Sequence, residues 1–326
     1  MADAGKLKKL NTALLRDAMR DGAARNKNDL ARETGLSFPT VSRIVDELAV
    51  SGEAREVGAA ASTGGRCAKQ YALDPAFRQF LCMRLEARTL HWFVCDLVGN
   101  RLEEDAADCQ KDILSTLDTL VMRAKVRYPH LAAAAFGLAG PLREGTVTEA
   151  FGFPELRGVS LKTHLEHKLE LPAAVGRDTN CAVSGYLTRC AEMPRAVVCI
   201  YLGENGIGAG LSIGGVPFCG AAEFAGELHY LPIKNNLEYA KNHFAGADMV
   251  AYYMQVIRAY AALVNPDRVV LYDNALLTGK LERIRAACVK TLPPQAMPEI
   301  ELSETFVEDY EAGLLAVARG LVKEDV

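Results

Sequence analysis

The sequence predicts an α/β protein in two parts: a winged helix-turn-helix over residues 1–79 and a longer α/β body over 80–326. Three observations predict it. Short helical patterns, a glycine corner and an alternating hairpin follow one another between residues 8 and 73. From residue 80 onward, apolar strand-like runs alternate with helical patterns, the order that builds a sheet with helices packed on it. The charge divides the same way. Residues 1–80 hold 13 Lys+Arg against 10 Asp+Glu, and the remainder holds 24 against 31. A mildly basic head on an acidic body fits a head that meets nucleic acid.

The 326 residues are half hydrophobic and about a quarter charged, enough for two or three globular domains with a sizeable core. The longest apolar stretch, Leu131 to Pro141, is too short and too glycine-rich to span a membrane. The lysines of residues 1–10 are followed by no apolar run, so no secretory signal is expected. Nine cysteines, an odd number with no Cys-x-x-Cys pair, read as reduced, buried thiols of a cytosolic protein. No tandem repeat or low-complexity tract is visible.

In the head, Leu10, Leu14, Leu15 and Ala18 recur at helical spacing over residues 8–20. A second short helix fits 27–34 and stops at Gly35, a residue able to take positive φ at a tight corner. Ser37 offers an N-cap to a third helix, with Phe38-Pro39 in its first turn, running to Gly52. Ala31 lets the helices approach, and Leu30, Leu36, Val41 and Ile44 form the small core between them. The outward face then carries Ser37, Phe38, Thr40, Ser42 and Arg43. With Lys27 nearby, these short hydroxyls and cations suit base edges and phosphates in a major groove. Residues 53–57 and 68–73 alternate as a hairpin, the wing, with Gly64-Gly65-Arg66 at its tip, where Arg66 could enter a minor groove. The competing reading is a three-helix packing module that touches no DNA.

In the body, buried strands are expected within 80–98, at 131–138 and 172–176, and at 196–202 and 207–213. Helices are expected at 112–127, 160–169, 179–191, 239–264 and 305–322, and a further strand from Arg268 to Tyr272. The last helix reads as a packing element.

Three segments carry a resemblance: GLAGPLREGTV (137–147), FPELRGVSLKTHLEHKLELPAAVGRDTN (153–180) and YLGENGIGAGLSIGGVPFCGAAEFAGELHYLPI (201–233). In order, and together with the winged head, they resemble the ROK family, which combines sugar repressors with sugar kinases. The head is similar to that of the N-acetylglucosamine and xylose repressor type. The resemblance implies a two-lobed, actin-like (ribonuclease-H-like) body with a ligand cleft between the lobes.

The departures from the family bear on function. The family's first phosphate loop, Asp-x-Gly, falls at Arg84-Leu85-Glu86. A glutamate there adds bulk and like charge where a glycine lets backbone approach phosphates. The second loop, Gly203 to Gly210, keeps its glycines but carries Glu204-Asn205. Asp273-Asn274 stands where the family has a Gly-Gly turn against the nucleotide. The family's zinc cluster is missing from 234–250, which hold no cysteine and one histidine, His243, read as a surface residue. No metal and no cofactor are therefore expected.

The resemblance implies that the family's sugar pocket is half kept. Asp178 takes the position of the kinase base, Asn180 stays, and Arg177 replaces an asparagine. Glu227 stands at the sugar-binding glutamate, with Tyr230 where the family has histidine and His229 beside it. Gly140 belongs to the matched Gly-Pro turn. Asp178 could equally cap the helix at 179–191, and Glu227 could be a solvated loop charge. Arg177 suggests either an anionic ligand such as a sugar phosphate or an ion pair with a neighbouring carboxylate. The expected protein is a cytoplasmic, homodimeric or tetrameric regulator that binds double-stranded DNA. It would repress carbohydrate-related genes, respond to a sugar or sugar-phosphate effector and have no kinase activity. The alternatives are an ATP-dependent sugar kinase with Asp178 as base, and a DNA-binding dimer without an effector.

Overall fold

The computed structural model describes residues 4–59, 68–110, 112–149, 152–204 and 206–322. The chain opens with α1 (Ala4–Ala18), β1 (Arg25–Asn26), α2 (Lys27–Thr34), α3 (Phe38–Ser51), β2 (Ala54–Ala59) and β3 (Lys69–Leu73). The three helices enclose Leu15, Met19, Leu30, Val41, Ile44, Val45 and Leu48, all buried. Gly35 ends α2 in the left-handed conformation, φ 69°. The strands form one small sheet in the order β1-β3-β2, so the hairpin gains a third strand, Arg25–Asn26, that the sequence did not announce. Ser37 occupies the N-cap of α3, but its hydroxyl meets Thr40 Oγ1 at 2.8 Å rather than a helix N–H. The hairpin tip, including Arg66, lies outside the described residues.

The body contains two five-stranded sheets of the same topology. The first uses β4 (Gln79–Glu86), β5 (Thr89–Asp96), β6 (Arg101–Asp108), β7 (Leu131–Leu138) and, beyond the short hairpin β8 (Leu142–Arg143) and β9 (Thr146–Val147), β10 (Ala173–Arg177). The second uses β11 (Ala196–Gly203), β12 (Gly206–Ile213), β13 (Val216–Pro217), β14 (Arg268–Tyr272) and β15 (Glu299–Ser303). In each, three sequential strands pair antiparallel and two more add in parallel, giving β6-β5-β4-β7-β10 and β13-β12-β11-β14-β15. The structural duplication has no counterpart in a sequence repeat.

Helices α4 (Ile113–Arg127) and α5 (Leu161–Leu169) belong to the first lobe. The second lobe holds α7 (Asn236–Lys241), α8 (Met249–Leu263) and α9 (Leu281–Val289). The single helix expected over 239–264 is two: Gly246 takes a positive φ of 74°, and Asp248 caps α8 through Val250 and Ala251 N–H. Strands β6 and β15 and helix α9 were not foreseen.

Between the sheets lie α6 (Asp178–Thr188) and α10 (Phe306–Leu321), packed with their backbones in contact at Gly185 and Gly313. The closing helix is thus the central inter-lobe element. It also reaches the head side, where Arg319 donates to Leu97 O at 2.9 Å and Val98 packs under Gly22. Among the described residues no helix is long and apolar enough to cross a membrane, and eight cysteines are free.

Candidate functional site

A cavity of about 300 Å³ opens between the lobes where β7 and β10 end and β12 begins. That is the low end of the range for small-molecule pockets. Strand β10 delivers Arg177 and Asp178 to it, because its parallel pairing with β7 carries both chain ends to the same edge. The helix begins one residue earlier than the sequence suggested: Arg177 is the N-cap and Asp178 opens α6. Asp178 therefore does not cap the helix from outside. Its carboxylate accepts the Thr179 N–H at 2.7 Å and otherwise faces the cavity. Burial pushes Asp178 up to about 6, with Glu86 adding to the push and the Thr179 N–H and Arg177 opposing it.

Glu227 is not a solvated loop charge, since its side chain is only 7% exposed. Gly226 makes this possible, with φ +97° and no room for a side chain: a Cβ would lie 1.9 Å from Ala209 O. Burial pushes Glu227 also up to about 6, with Asp178 and Glu149 raising it and Arg177 lowering it. Arg177 pairs with Glu227 Oε1 at 3.3 Å and donates to Ala225 O at 2.7 Å and Ala209 O at 3.0 Å, with longer bonds to Glu223 O and Thr179 Oγ1. The guanidinium holds the 223–227 loop onto β12, which is the ion-pair alternative of the sequence reading.

Tyr230 and Gly140 line the same cavity. Tyr230 is half exposed, packs on Phe224 and His229, and its hydroxyl stands 3.5 Å from Glu149 Oε2. Asn180 does not line it. Two residues along a helix rotate a side chain about 200°, and Asn180 Nδ2 points at Cys219 Sγ, 3.4 Å away. Sequence reasoning missed Glu149 as a wall residue and gave His229 only a passing place beside Tyr230. His229 is buried, with Nδ1 at 3.6 Å from Glu227 Oε2, and burial lowers its pKa.

Beyond Asp178 the cleft closes. Tyr201 donates to Glu86 Oε1 at 2.9 Å and stacks on Phe306 at 3.4 Å between ring centroids. Arg84 ties Glu86 to Glu311 at 2.9 and 3.0 Å. About 20 Å³ remains among Glu86, Gly203, Gly206, Phe306 and Tyr310, room for about one water. Glu86, Gly203 and Gly206 line this same small space.

In the head, Phe38 is 48% exposed at the start of α3 and Arg43 lies on the outer face. Lys27 Nζ reaches Asp46 Oδ1 at 2.6 Å and Ser42 Oγ at 3.0 Å, and Arg43 reaches Glu47 at 3.1 Å. Ser37 and Thr40 bond to each other. Exposed pairs of this kind are worth little, so competing phosphates can displace them.

Two lobes with sheets of the same topology and a cavity between them make an actin-like, kinase-type fold. Residues 89–243 match the ROK family, and the chain contains a ROK family domain. A xylose repressor of Caldicellulosiruptor bescii is 26% identical over 241 residues, which cover 70% of this chain. The chain spans 59% of that relative's length. Among solved structures, a ROK family transcriptional regulator, a homologue of the E. coli Mlc protein, superposes with TM-score 0.70 at 17% identity, covering 97% of this chain and 98% of its own. A ROK family glucokinase from Streptomyces griseus, crystallised with glucose and AMPPNP, superposes with TM-score 0.56 at 17% identity, covering 74% and 99%.

Proposed function

We propose that this chain is a DNA-binding transcriptional regulator, a repressor of carbohydrate-related genes, that takes a sugar or sugar derivative in its cleft and has no kinase activity. The observation that carries the reading is the pairing of an open sugar half with a nucleotide half filled by Glu86, Tyr201 and Phe306. Phosphoryl transfer needs room for a triphosphate and its metal ion. The kinase alternative, with Asp178 as general base, would have to displace that packing. The xylose repressor relative and the regulator that superposes over nearly the whole chain support the same reading.

On this reading residues 1–79 form a winged helix-turn-helix, residues 80–326 the sugar-binding body, and the protein works in the cytoplasm as a homodimer or tetramer. Helix α3 enters the major groove with Ser37, Phe38, Thr40, Ser42 and Arg43, Lys27 meets a phosphate, and Arg66 reaches from the wing. Two such heads about one helical turn apart require a roughly palindromic operator.

The test is fluorescence anisotropy of a labelled duplex from upstream of the protein's own gene, across a salt series. Tight binding that weakens linearly in log salt is expected. Arg43→Ala should cost about 1–3 kcal/mol, and Lys27→Ala should lower the salt slope by about one. Absence of even salt-sensitive binding would remove the reading. Binding unaltered by any sugar would favour a DNA-binding dimer without an effector.

A further inference from the structure

We infer that the cleft selects sugars carrying a protonated amine over neutral sugars and excludes sugar phosphates and sugar acids, with Glu149 as the residue that sets this preference. The inference rests on the reading of the cleft as a sugar site and names the ligand class within it.

Three carboxylates from three separate parts of the chain face the 300 Å³ cavity: Glu149 after β9, Asp178 at the start of α6, and Glu227 before α7. Arg177 is the one arginine or lysine among the lining residues, and it is already engaged. Its side chain is 2% exposed, and its donors go to Ala225 O, Ala209 O and Glu227. It is bolted to the wall of the site and offers a ligand little. His229 is held toward its neutral form by burial, and Tyr230 is held toward its phenol. Glu86 stands behind Asp178, with its charge shared by Arg84. The field a ligand meets is therefore negative.

A neutral sugar can donate hydroxyls to these carboxylates but leaves their charge in place. An ammonium group supplies three donors and the missing counter-charge together, and charge-assisted bonds are about twice as strong as neutral ones. A phosphate or carboxylate on the ligand meets repulsion from every side and no available cation. Glu149 is the distinguishing member. Asp178 and Glu227 are tied to Thr179 N–H and Arg177, whereas the Glu149 contact across the cavity is the long one to the Tyr230 hydroxyl. Burial is the main cause of the raised pKa values of Asp178 and Glu227, and neighbouring carboxylates add to it against Arg177.

The experiment is calorimetric titration of the full chain with aminohexoses and aminopentoses, their neutral hydroxyl counterparts, and glucose 6-phosphate and gluconate. At least one amine should bind about tenfold or more tightly than its neutral counterpart, and the anions should not bind. Between pH 5 and 7 the amine's affinity should rise more steeply than the neutral sugar's as the cavity carboxylates ionise. Glu149→Gln should narrow the ratio of amine to neutral-sugar affinity, and Glu149→Asp should keep part of that ratio. Melting curves check that both variants fold. Neutral sugars binding as tightly as their amines, or an anion binding best, would overturn the inference while leaving the sugar site standing. No binding by any sugar would overturn the sugar site itself.

Discussion

Gly313→Ala is expected to lower the melting temperature of the body by about 6–12 °C, corresponding to about 3 kcal/mol in a chain of this size. The cause is the crossing of α6 and α10. A Cβ on Gly313 would lie 1.8 Å from Cys181 O, and one on Gly185 would lie 1.8 Å from Asp309 O. Both oxygens belong to helix backbone, which cannot rotate aside as a side chain can. The helices must separate, loosening the buried contacts of Tyr186, Tyr310 and Leu314 that join the two sheets. Gly185→Ala should behave alike. Gly320→Ala is the control, because it lies on the same helix with nothing within 4 Å of its Cβ. There alanine's better helix propensity should leave the melting temperature unchanged or slightly raised. A thermal melt of the three variants decides the matter, and a Gly313→Ala protein as stable as the control would mean the helices do not cross this closely.

Arg177→Ala is expected to destabilise by about 3–5 kcal/mol at pH 7.5, the usual consequence of removing one partner from a buried ion pair. Glu227 would lose its counter-charge in a buried position, and Ala225 O and Ala209 O would lose their donor. The effect has a definite pH sign. Glu227 already titrates at about 6 in the folded protein, above the ordinary carboxylate value, because burial outweighs Arg177. Such a group adds stability at low pH that is lost as pH rises through its folded pKa. Without Arg177 that pKa moves higher still, so the variant's deficit should shrink as pH falls from 7.5 to 5, where Glu227 is protonated. Denaturant titrations at the two pH values measure it. A deficit that stays constant or grows on acidification would show that the ion pair is not its source.

The order of strands and helices was legible because most elements bury one face and so carry an apolar period. Strand β6 was not: five of its eight residues are charged, since it is an exposed edge whose polarity blocks further pairing. The break between α7 and α8 had a local signal, a glycine followed two residues later by a capping aspartate, which the long apolar period of 249–263 concealed. The duplication of the two sheets lives in backbone pairing rather than residue identity. In the cleft, Asp178 and Glu227 were legible through the resemblance of their segments to the ROK family, and the structure brings them to one cavity. Glu149 was illegible because the fold of the β8–β9 hairpin carries it there, with no motif or period of its own. The role of Arg177 depended on three carbonyl oxygens from β12 and the 223–227 loop, which only tertiary structure assembles.

On the proposed reading a sugar in the cleft controls the grip of the head on DNA, and DNA binding measured with sugar present checks this. The labelled duplex should be titrated with wild-type chain and with Asp178→Asn, each with and without saturating neutral and amino sugars. At least one sugar should change wild-type DNA affinity by about tenfold, within the usual range of coupling between sites. Asp178→Asn should abolish this change while leaving sugar-free DNA binding intact. Sugar bound in the cleft by calorimetry, with DNA affinity unmoved by it, would contradict the account.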